Sequence, residues 1–241
     1  MAELRVPSLQ HLARNWHDQP ARIRKVLVRL ARNPPRFNYN PLFSAARDLL
    51  VLQIPYEQIE EGIRRGVKRP TVRENLLQVL PLIRDHFAGL APDFVQSVER
   101  RYYPVSRNLM VPFDPPLVYG VGGTLYFPWF SFWRKNPLVV ERLSLFVTLV
   151  DEVLLQDPDL EAARFEILDF SVPEVGAKRK LNVTDAREVP RVDERRKREM
   201  LQIFAEGYFA ALAELAAGPA TGDDEGAAED DHDPRQPDLY D

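Results

Sequence analysis

The chain has 241 residues, of which 45% are hydrophobic and 28% are charged, and it contains no cysteine. This composition is typical of a folded globular protein and excludes a mostly disordered or fibrous chain. The lack of cysteine excludes disulfides, thiol nucleophiles, iron–sulfur clusters and cysteine-ligated zinc. Since we find no apolar run of about eighteen residues and no apolar core of a signal peptide, we expect a cytoplasmic protein without a membrane span.

The formal charge of −4 is unevenly distributed along the chain. Residues 219–241 contain nine acidic residues and one arginine, a net charge of −8, whereas residues 1–54 contain nine basic and three acidic residues, a net charge of +6. Because residues 219–241 also have few large apolar side chains, we expect a disordered acidic tail. The basic N-terminal segment favours an anionic partner, and candidates are nucleic acid, another protein and the tail itself.

The first hundred residues have the apolar spacing of helices. We predict helices near 8–17, 20–32, 41–53, 55–66, 71–89 and 92–100. Thr71 and Glu74 have the spacing of a capping box at the start of the fifth helix, and Pro81 is expected to kink or end it. No strand is expected before Arg101.

The pattern changes after Arg101, where aromatic residues, valine, proline and glycine indicate β-structure. The predicted strands are Leu109–Phe113, Leu117–Val121, Thr124–Trp133, Arg164–Val172 and Lys180–Thr184, with a buried helix after Pro137 and a final helix from Asp193 to Ala217. Both faces of Thr124–Trp133 are apolar, so helices should cover both. We therefore expect an α+β or α/β fold, in which a helical region (1–100) packs on a mixed sheet flanked by helices (101–218).

The order of elements in residues 94–172 resembles the core of the PD-(D/E)XK, or restriction-endonuclease-like, nucleases. In that family the second strand supplies an aspartate and the third a D/E-x-K motif, so that carboxylates bind Mg²⁺ and the lysine helps to activate water. The third predicted strand, Thr124–Trp133, contains no acid and no lysine. The resemblance therefore implies a degenerate fold without the catalytic motif, and we expect neither a metal nor a cofactor.

A second resemblance is local to residues 66–76. The sequence GVKRPTVRE, Gly66 to Glu74, is similar to the turn and recognition-helix start of GntR-type helix-turn-helix regulators. In such proteins the second helix enters the major groove. The resemblance implies phosphate contacts by Lys68, Arg69 and Arg73, and the alternative is a capped core helix with solvated basic residues.

Further basic residues are candidates for nucleic-acid contacts. Four of them recur at helical spacing and form what we call the basic stripe: Arg22, Lys25, Arg29 and Arg32. Arg195 and Arg196 begin the final helix, although the helix dipole favours acids there, and an anionic partner would explain this placement. For the stripe, a solvated helix face is the alternative.

Three hypotheses of function remain open at this stage. The leading one is a non-enzymatic, nucleic-acid-associated or regulatory interaction protein. The second is an enzyme with a metal or acid–base site around Asp114, Glu141 and Asp169, acting on nucleic acid or a phosphorylated substrate. The third is a protein-binding scaffold or antagonist, in which Trp129 and Trp133 contribute to the binding surface.

Overall fold

The computed structural model describes residues 3–34, 39–174 and 176–218. Residues 219–241, which the sequence predicts to be an acidic tail, lie outside this range. The helices in the described part are α1 (Leu9–Asn15), α2 (Pro20–Arg32), α3 (Asn40–Leu50), α4 (Tyr56–Gly66), α5 (Pro70–Phe87), α6 (Glu141–Leu154) and α7 (Glu194–Ala217). The strands are β1 (Phe94–Gln96), β2 (Arg101–Ser106), β3 (Leu109–Phe113), β4 (Val118–Val121), β5 (Thr124–Ser131), β6 (Arg164–Asp169) and β7 (Asn182–Asp185).

Five of these strands form a mixed sheet in the order β1-β4-β5-β6-β7, while β2 and β3 form a separate hairpin. The pairs β1/β4, β4/β5 and β6/β7 are antiparallel, whereas β5 and β6 are parallel. The parallel pair needs a crossover connection, which α6 supplies. The expected α+β class is therefore confirmed.

Alternating side chains of the sheet face two hydrophobic clusters. On one face, Phe127 and Ile167 belong to the cluster that contains the buried residues of α1, α2, α6 and α7. On the other face, Phe130 and Leu168 pack with the buried residues of α3, α4 and α5. The prediction that helices cover both faces is confirmed. The helices of residues 1–100 are consequently divided between the two faces and do not form one layer of their own.

Helix α2 packs along α7, and both helices run in the same direction. Just before α2, Trp16 donates its indole N–H to the carbonyl oxygen of Met200 at 3.1 Å. Further along, Arg24 of α2 binds Glu214 of α7 at 2.8 Å. This pairing places the start of α7 near Trp16 and the end of α7 near the basic stripe.

Two local predictions are wrong. Residues 92–100 were expected to be helical, but Phe94–Gln96 is the edge strand β1, paired with β4. Its position depends on contacts remote in sequence: the backbone N–H of Asp93 donates to the carbonyl oxygen of Gly120 at 2.8 Å, and the ring of Phe94 covers Gly120 where a Cβ would lie.

The start of α5 also differs from the expected capping box. The helix begins at Pro70, with Arg69 as an N-cap that makes no side-chain capping bond, so Thr71 lies inside the first turn. Proline suits the first helical position because its φ is already helical and no N–H is needed there. Pro81 does not end the helix, which continues to Phe87.

Candidate functional sites

Helices α3, α4 and α5 pack against one another on one face of the sheet. Residues 67–69 join α4 to α5, and the buried side chains of α5 (Leu76, Val79, Leu80, Ile83 and Phe87) anchor it to the core. The opposite side of its N-terminal half, including Thr71, is exposed. This arrangement presents the start of α5 to solvent.

The basic residues of this segment remain largely at the surface. Lys68 and Arg69 are exposed, and Arg73 is half-buried, with its guanidinium donating to the carbonyl oxygen of Val67 at 3.4 Å. The first turn of α5 contains no acidic residue. We call Lys68, Arg69 and Arg73 the α5 basic surface.

The neighbouring arginines of α4 are compensated by acids of their own helix. Arg64 pairs with Glu60, and Arg65 pairs with Glu61, each four residues apart. In the part of the chain that the structure describes, the ammonium group of Lys68 has no such carboxylate partner. In the turn before α5, Lys68 thus carries an exposed charge without a carboxylate partner among the described residues.

The basic stripe on α2 lies on the other face of the sheet. Its residues are exposed, but Arg32 pairs with Glu214 at 3.5 Å and Arg22 hydrogen-bonds with His17 at 2.7 Å. Lys25 has no carboxylate partner among the described residues. Because α2 and α5 lie on opposite faces of the sheet, the stripe and the α5 basic surface do not form one continuous face.

Carboxylates of α6 and α7 explain the position of Arg196 at the start of α7. Arg196 binds Glu141 at 2.8 Å and Glu199 at 3.0 Å, and these contacts raise its pKa. The carboxylate of Asp193 caps the helix by accepting a hydrogen bond from the backbone N–H of Arg196 at 2.9 Å, and this bond is the main cause that lowers the pKa of Asp193. Arg195 is exposed. An external anion is not needed to explain the position of Arg196.

The acids considered for an enzyme site bind different partners in the structure. Asp114 forms a two-point ion pair with Arg100, at 2.5 and 3.0 Å, and Glu141 binds Arg196. Asp169 is buried, which raises its pKa, although hydrogen bonds from Asn136 at 3.0 Å and from the Ser171 hydroxyl at 2.9 Å oppose the shift. Each carboxylate has its own polar partners, and the described residues contain no group of three or more acidic or histidine side chains suited to a metal ion.

Trp129 and Trp133 are only 5% and 4% exposed, so neither forms an exposed protein-binding surface. Both belong to the hydrophobic core because β5 is covered on both faces. They also line a pocket of about 560 Å³ between α1, α3, the 114–117 segment and the end of β5. We call it the aromatic pocket, and its lining residues are Gln10, His11, Tyr39, Asn40, Phe43, Ser44, Arg47, Arg100, Asp114, Pro115, Pro116, Leu117, Trp129, Phe130, Ser131, Phe132 and Trp133.

The interior of the aromatic pocket holds a neutral histidine. Burial, with a further contribution from Arg14, lowers the pKa of His11 to about 3. A hydrogen bond of 2.6 Å joins His11 Nδ1 to the hydroxyl of Ser8, and the imidazole meets the edge of Trp133, with ring centres 5.9 Å apart. His11 is thus uncharged at neutral pH.

The sequence gives no indication of this pocket. The aromatic residues from Phe127 to Trp133 are visible in the sequence, but the pocket also needs walls from α1 and α3, about eighty or more residues earlier. Only a predicted three-dimensional arrangement could have brought Gln10, Arg47 and Asp114 to one place.

One helix of the described part, α7, is long and apolar enough to cross a membrane by length and composition alone. Its buried side chains, among them Met200, Phe204 and Tyr208, pack in the core of the fold. The position of α7 in the core therefore explains its apolar composition.

Comparison with known proteins gives no further assignment. No protein-family model matches the chain, and no curated protein is significantly similar to it.

Proposed function

We propose that the protein binds double-stranded nucleic acid through the α5 basic surface and has a regulatory role without catalysis. The observation that carries the proposal is the exposure of Lys68 and Arg69 at the start of a helix whose opposite side is anchored to the sheet. Such a helix start can approach a phosphate backbone with its N–H groups and its basic side chains together. We further propose that the protein acts in the cytoplasm.

The distribution of charge favours the α5 basic surface over the α2 stripe as the nucleic-acid interface. On α5 the positive groups gather at one turn, and the first helical turn has no acid. On α2, Glu214 contacts both Arg24 and Arg32, so part of the stripe is compensated within the protein. The α5 surface is thus the better match for a polyanion.

A fluorescence-anisotropy titration with a random-sequence 30-base-pair DNA duplex at 50 mM NaCl tests this proposal. The double variant Lys68→Ala/Arg69→Ala should bind about thirtyfold more weakly, because each of the two lost phosphate contacts costs on the order of 1 kcal/mol. The slope of log affinity against log salt should decrease by about 2 for the two lost phosphate contacts.

The matched control is Arg22→Ala/Lys25→Ala, which removes the same charge from α2. We expect its affinity for the duplex to stay within about twofold of the unaltered chain after the general electrostatic effect is screened at 150 mM salt. No measurable binding by the unaltered chain, or equal losses in the two double variants, would contradict the proposal. Circular dichroism of each variant confirms that folding is intact.

We also infer that β4, β5, α6 and β6 form a degenerate PD-(D/E)XK-like core. Two antiparallel strands are followed by a crossover helix and a parallel strand, and β5 carries no acid and no lysine where that family has its D/E-x-K motif. Incubation with Mg²⁺ or Mn²⁺ and labelled DNA or RNA tests this inference. We expect no cleavage; cleavage that disappears in Asp114→Ala or Asp169→Ala would overturn it.

A further inference from the structure

The aromatic pocket has the size and lining of a small-molecule site. Its volume of about 560 Å³ lies within the range of roughly 300–1,000 Å³ that is usual for such sites. Phe43, Trp129, Phe130 and Phe132 supply aromatic walls, and the pocket belongs neither to the α5 basic surface nor to the α2 stripe. Walls of this kind favour a flat, largely apolar ligand.

A buried donor in this lining lacks an acceptor. The indole Nε1 of Trp133, a residue only 4% exposed, has no hydrogen-bond partner in the described part of the chain. A buried N–H without a partner is costly, and a bound group that accepts a hydrogen bond from it removes that cost. The ligand should therefore carry an acceptor oxygen.

The charges around the pocket favour an anion. Arg100 and Asp114 neutralise each other through two contacts, and His11 is uncharged at neutral pH because its pKa is lowered to about 3. Arg47, on the exposed side of α3, has no carboxylate partner among the described residues. The balance of formal charge at the pocket is consequently positive.

We propose that the aromatic pocket binds a small aromatic carboxylate, whose ring lies between the aromatic walls and whose carboxylate accepts the N–H of Trp133 in the field of Arg47. The site is independent of the proposed nucleic-acid interface. Binding requires the side chain of Trp133 to turn its N–H toward the pocket, because Nε1 is out of contact with solvent in the free protein.

The first test is an NMR titration of the full chain labelled with ¹⁵N-tryptophan. The chain contains three tryptophans and therefore gives three indole N–H resonances. Assignment uses the Trp16→Phe and Trp129→Phe variants. Saturating 1-naphthoate should shift the Trp133 resonance downfield, as a new hydrogen bond does, while Trp16 should not move because it already donates to Met200. An unchanged Trp133 resonance at about 1 mM ligand would overturn the proposal.

The second test uses calorimetry to separate the contribution of the ligand's charge from that of its aromatic ring. The neutral 1-naphthamide should bind the unaltered chain about tenfold more weakly than 1-naphthoate, because it lacks the charge that Arg47 attracts. Arg47→Gln should weaken the binding of 1-naphthoate by a similar factor and leave the affinity for 1-naphthamide unchanged. Arg107→Gln, an exposed arginine in the β2–β3 turn, is the matched control and should change neither affinity. Equal affinity for the two ligands, or equal losses in the two arginine variants, would overturn the proposal.

Discussion

Arg179 and Asn75 are 104 positions apart in sequence, and the guanidinium of Arg179 donates two hydrogen bonds, of 3.1 and 2.7 Å, to the side-chain oxygen of Asn75. The same guanidinium donates through Nη1 to the carbonyl oxygens of Phe132, Trp133 and Phe170, at 3.0, 3.2 and 2.8 Å. Burial lowers the pKa of Arg179. One buried cation thus joins α5 to the ends of β5 and β6, and so holds the proposed nucleic-acid helix on the sheet.

The first prediction concerns this cation. Arg179→Met should lower the free energy of unfolding by about 3 kcal/mol, because three carbonyl oxygens and the Asn75 oxygen lose their buried donor. Urea unfolding followed by circular dichroism measures the change. Lys180→Met, at the exposed neighbouring position, is the control and should stay within about 0.5 kcal/mol. Equal stabilities of the two variants would show that Arg179 is not a structural anchor.

The second prediction compares two helical glycines. A Cβ on Gly207 of α7 would lie 2.7 Å from Cβ of Ile23 and 2.8 Å from the carbonyl oxygen of Pro20, whereas a Cβ on Gly62 of α4 would meet nothing within 4 Å. Gly207→Ala should therefore destabilise the protein by about 1–3 kcal/mol, because α2 must move away from α7.

Gly62→Ala is the control for that substitution, with the opposite expected sign. Alanine favours the helix by about 0.5–1 kcal/mol where space is open. Thermal or urea unfolding of both variants distinguishes the two effects. A stabilised Gly207→Ala variant would mean that α2 and α7 are not in close contact at this point.

The sequence predicts the elements well where a local pattern decides them. Strand β3 is found at the predicted Leu109–Phe113, and α7 begins one residue after the predicted Asp193, which is its cap. The edge strand β1 was missed because three residues carry too little periodicity, and its pairing depends on Gly120, which accommodates Phe94. Local patterns also could not show that α1–α2 and α3–α5 cover opposite faces of the sheet.

For the candidate site residues too, exposure is predictable only where a local pattern decides it. Exposure of Lys25 and Arg195 agrees with their helical positions, since each is opposite an apolar face, and Lys68 is exposed in the turn between α4 and α5. Burial of Trp129 and Trp133 could not be read from alternation, because both faces of β5 are apolar and the covering helices come from both ends of the chain. The carboxylates that bind Arg196 come from α6 and α7, and Glu141 lies fifty-five positions away from it.

The third prediction concerns pH and His11. Its pKa is lowered to about 3 in the folded protein, against 6.5 for an ordinary histidine. Between these values the unfolded chain binds a proton that the folded chain does not, so stability decreases as the pH falls below 6.5, by about 1.4 kcal/mol per pH unit. Above 6.5 the residue contributes no pH dependence.

The measurement compares the unaltered chain with His11→Gln by urea unfolding at pH 7.5 and pH 5.5. The stability advantage of the unaltered chain over the variant should be smaller by about 1.4 kcal/mol at the lower pH. Other titrating groups are common to both chains and cancel in this difference. A difference that is the same at both pH values would show that folding does not lower the pKa of His11.

The last prediction concerns the acidic segment that follows Gly218. Its net charge of −8 is carried by the 23 residues after Gly218, and a chain of that length spans up to about 75 Å, enough to reach the α5 basic surface as well as the stripe. Attachment to the same chain keeps these carboxylates at an effective concentration of about millimolar, which makes even weak pairing significant.

Removal of residues 219–241 should therefore tighten low-salt binding of the DNA duplex, on the order of tenfold, and leave thermal stability unchanged. A full-length variant whose nine acids are replaced by asparagine and glutamine should behave like the truncated chain, because the effect depends on charge and not on length. Both gains should shrink between 50 and 300 mM salt as the charges are screened. Equal low-salt affinities of the three proteins, measured by the same anisotropy titration, would mean that the acidic segment does not compete with nucleic acid.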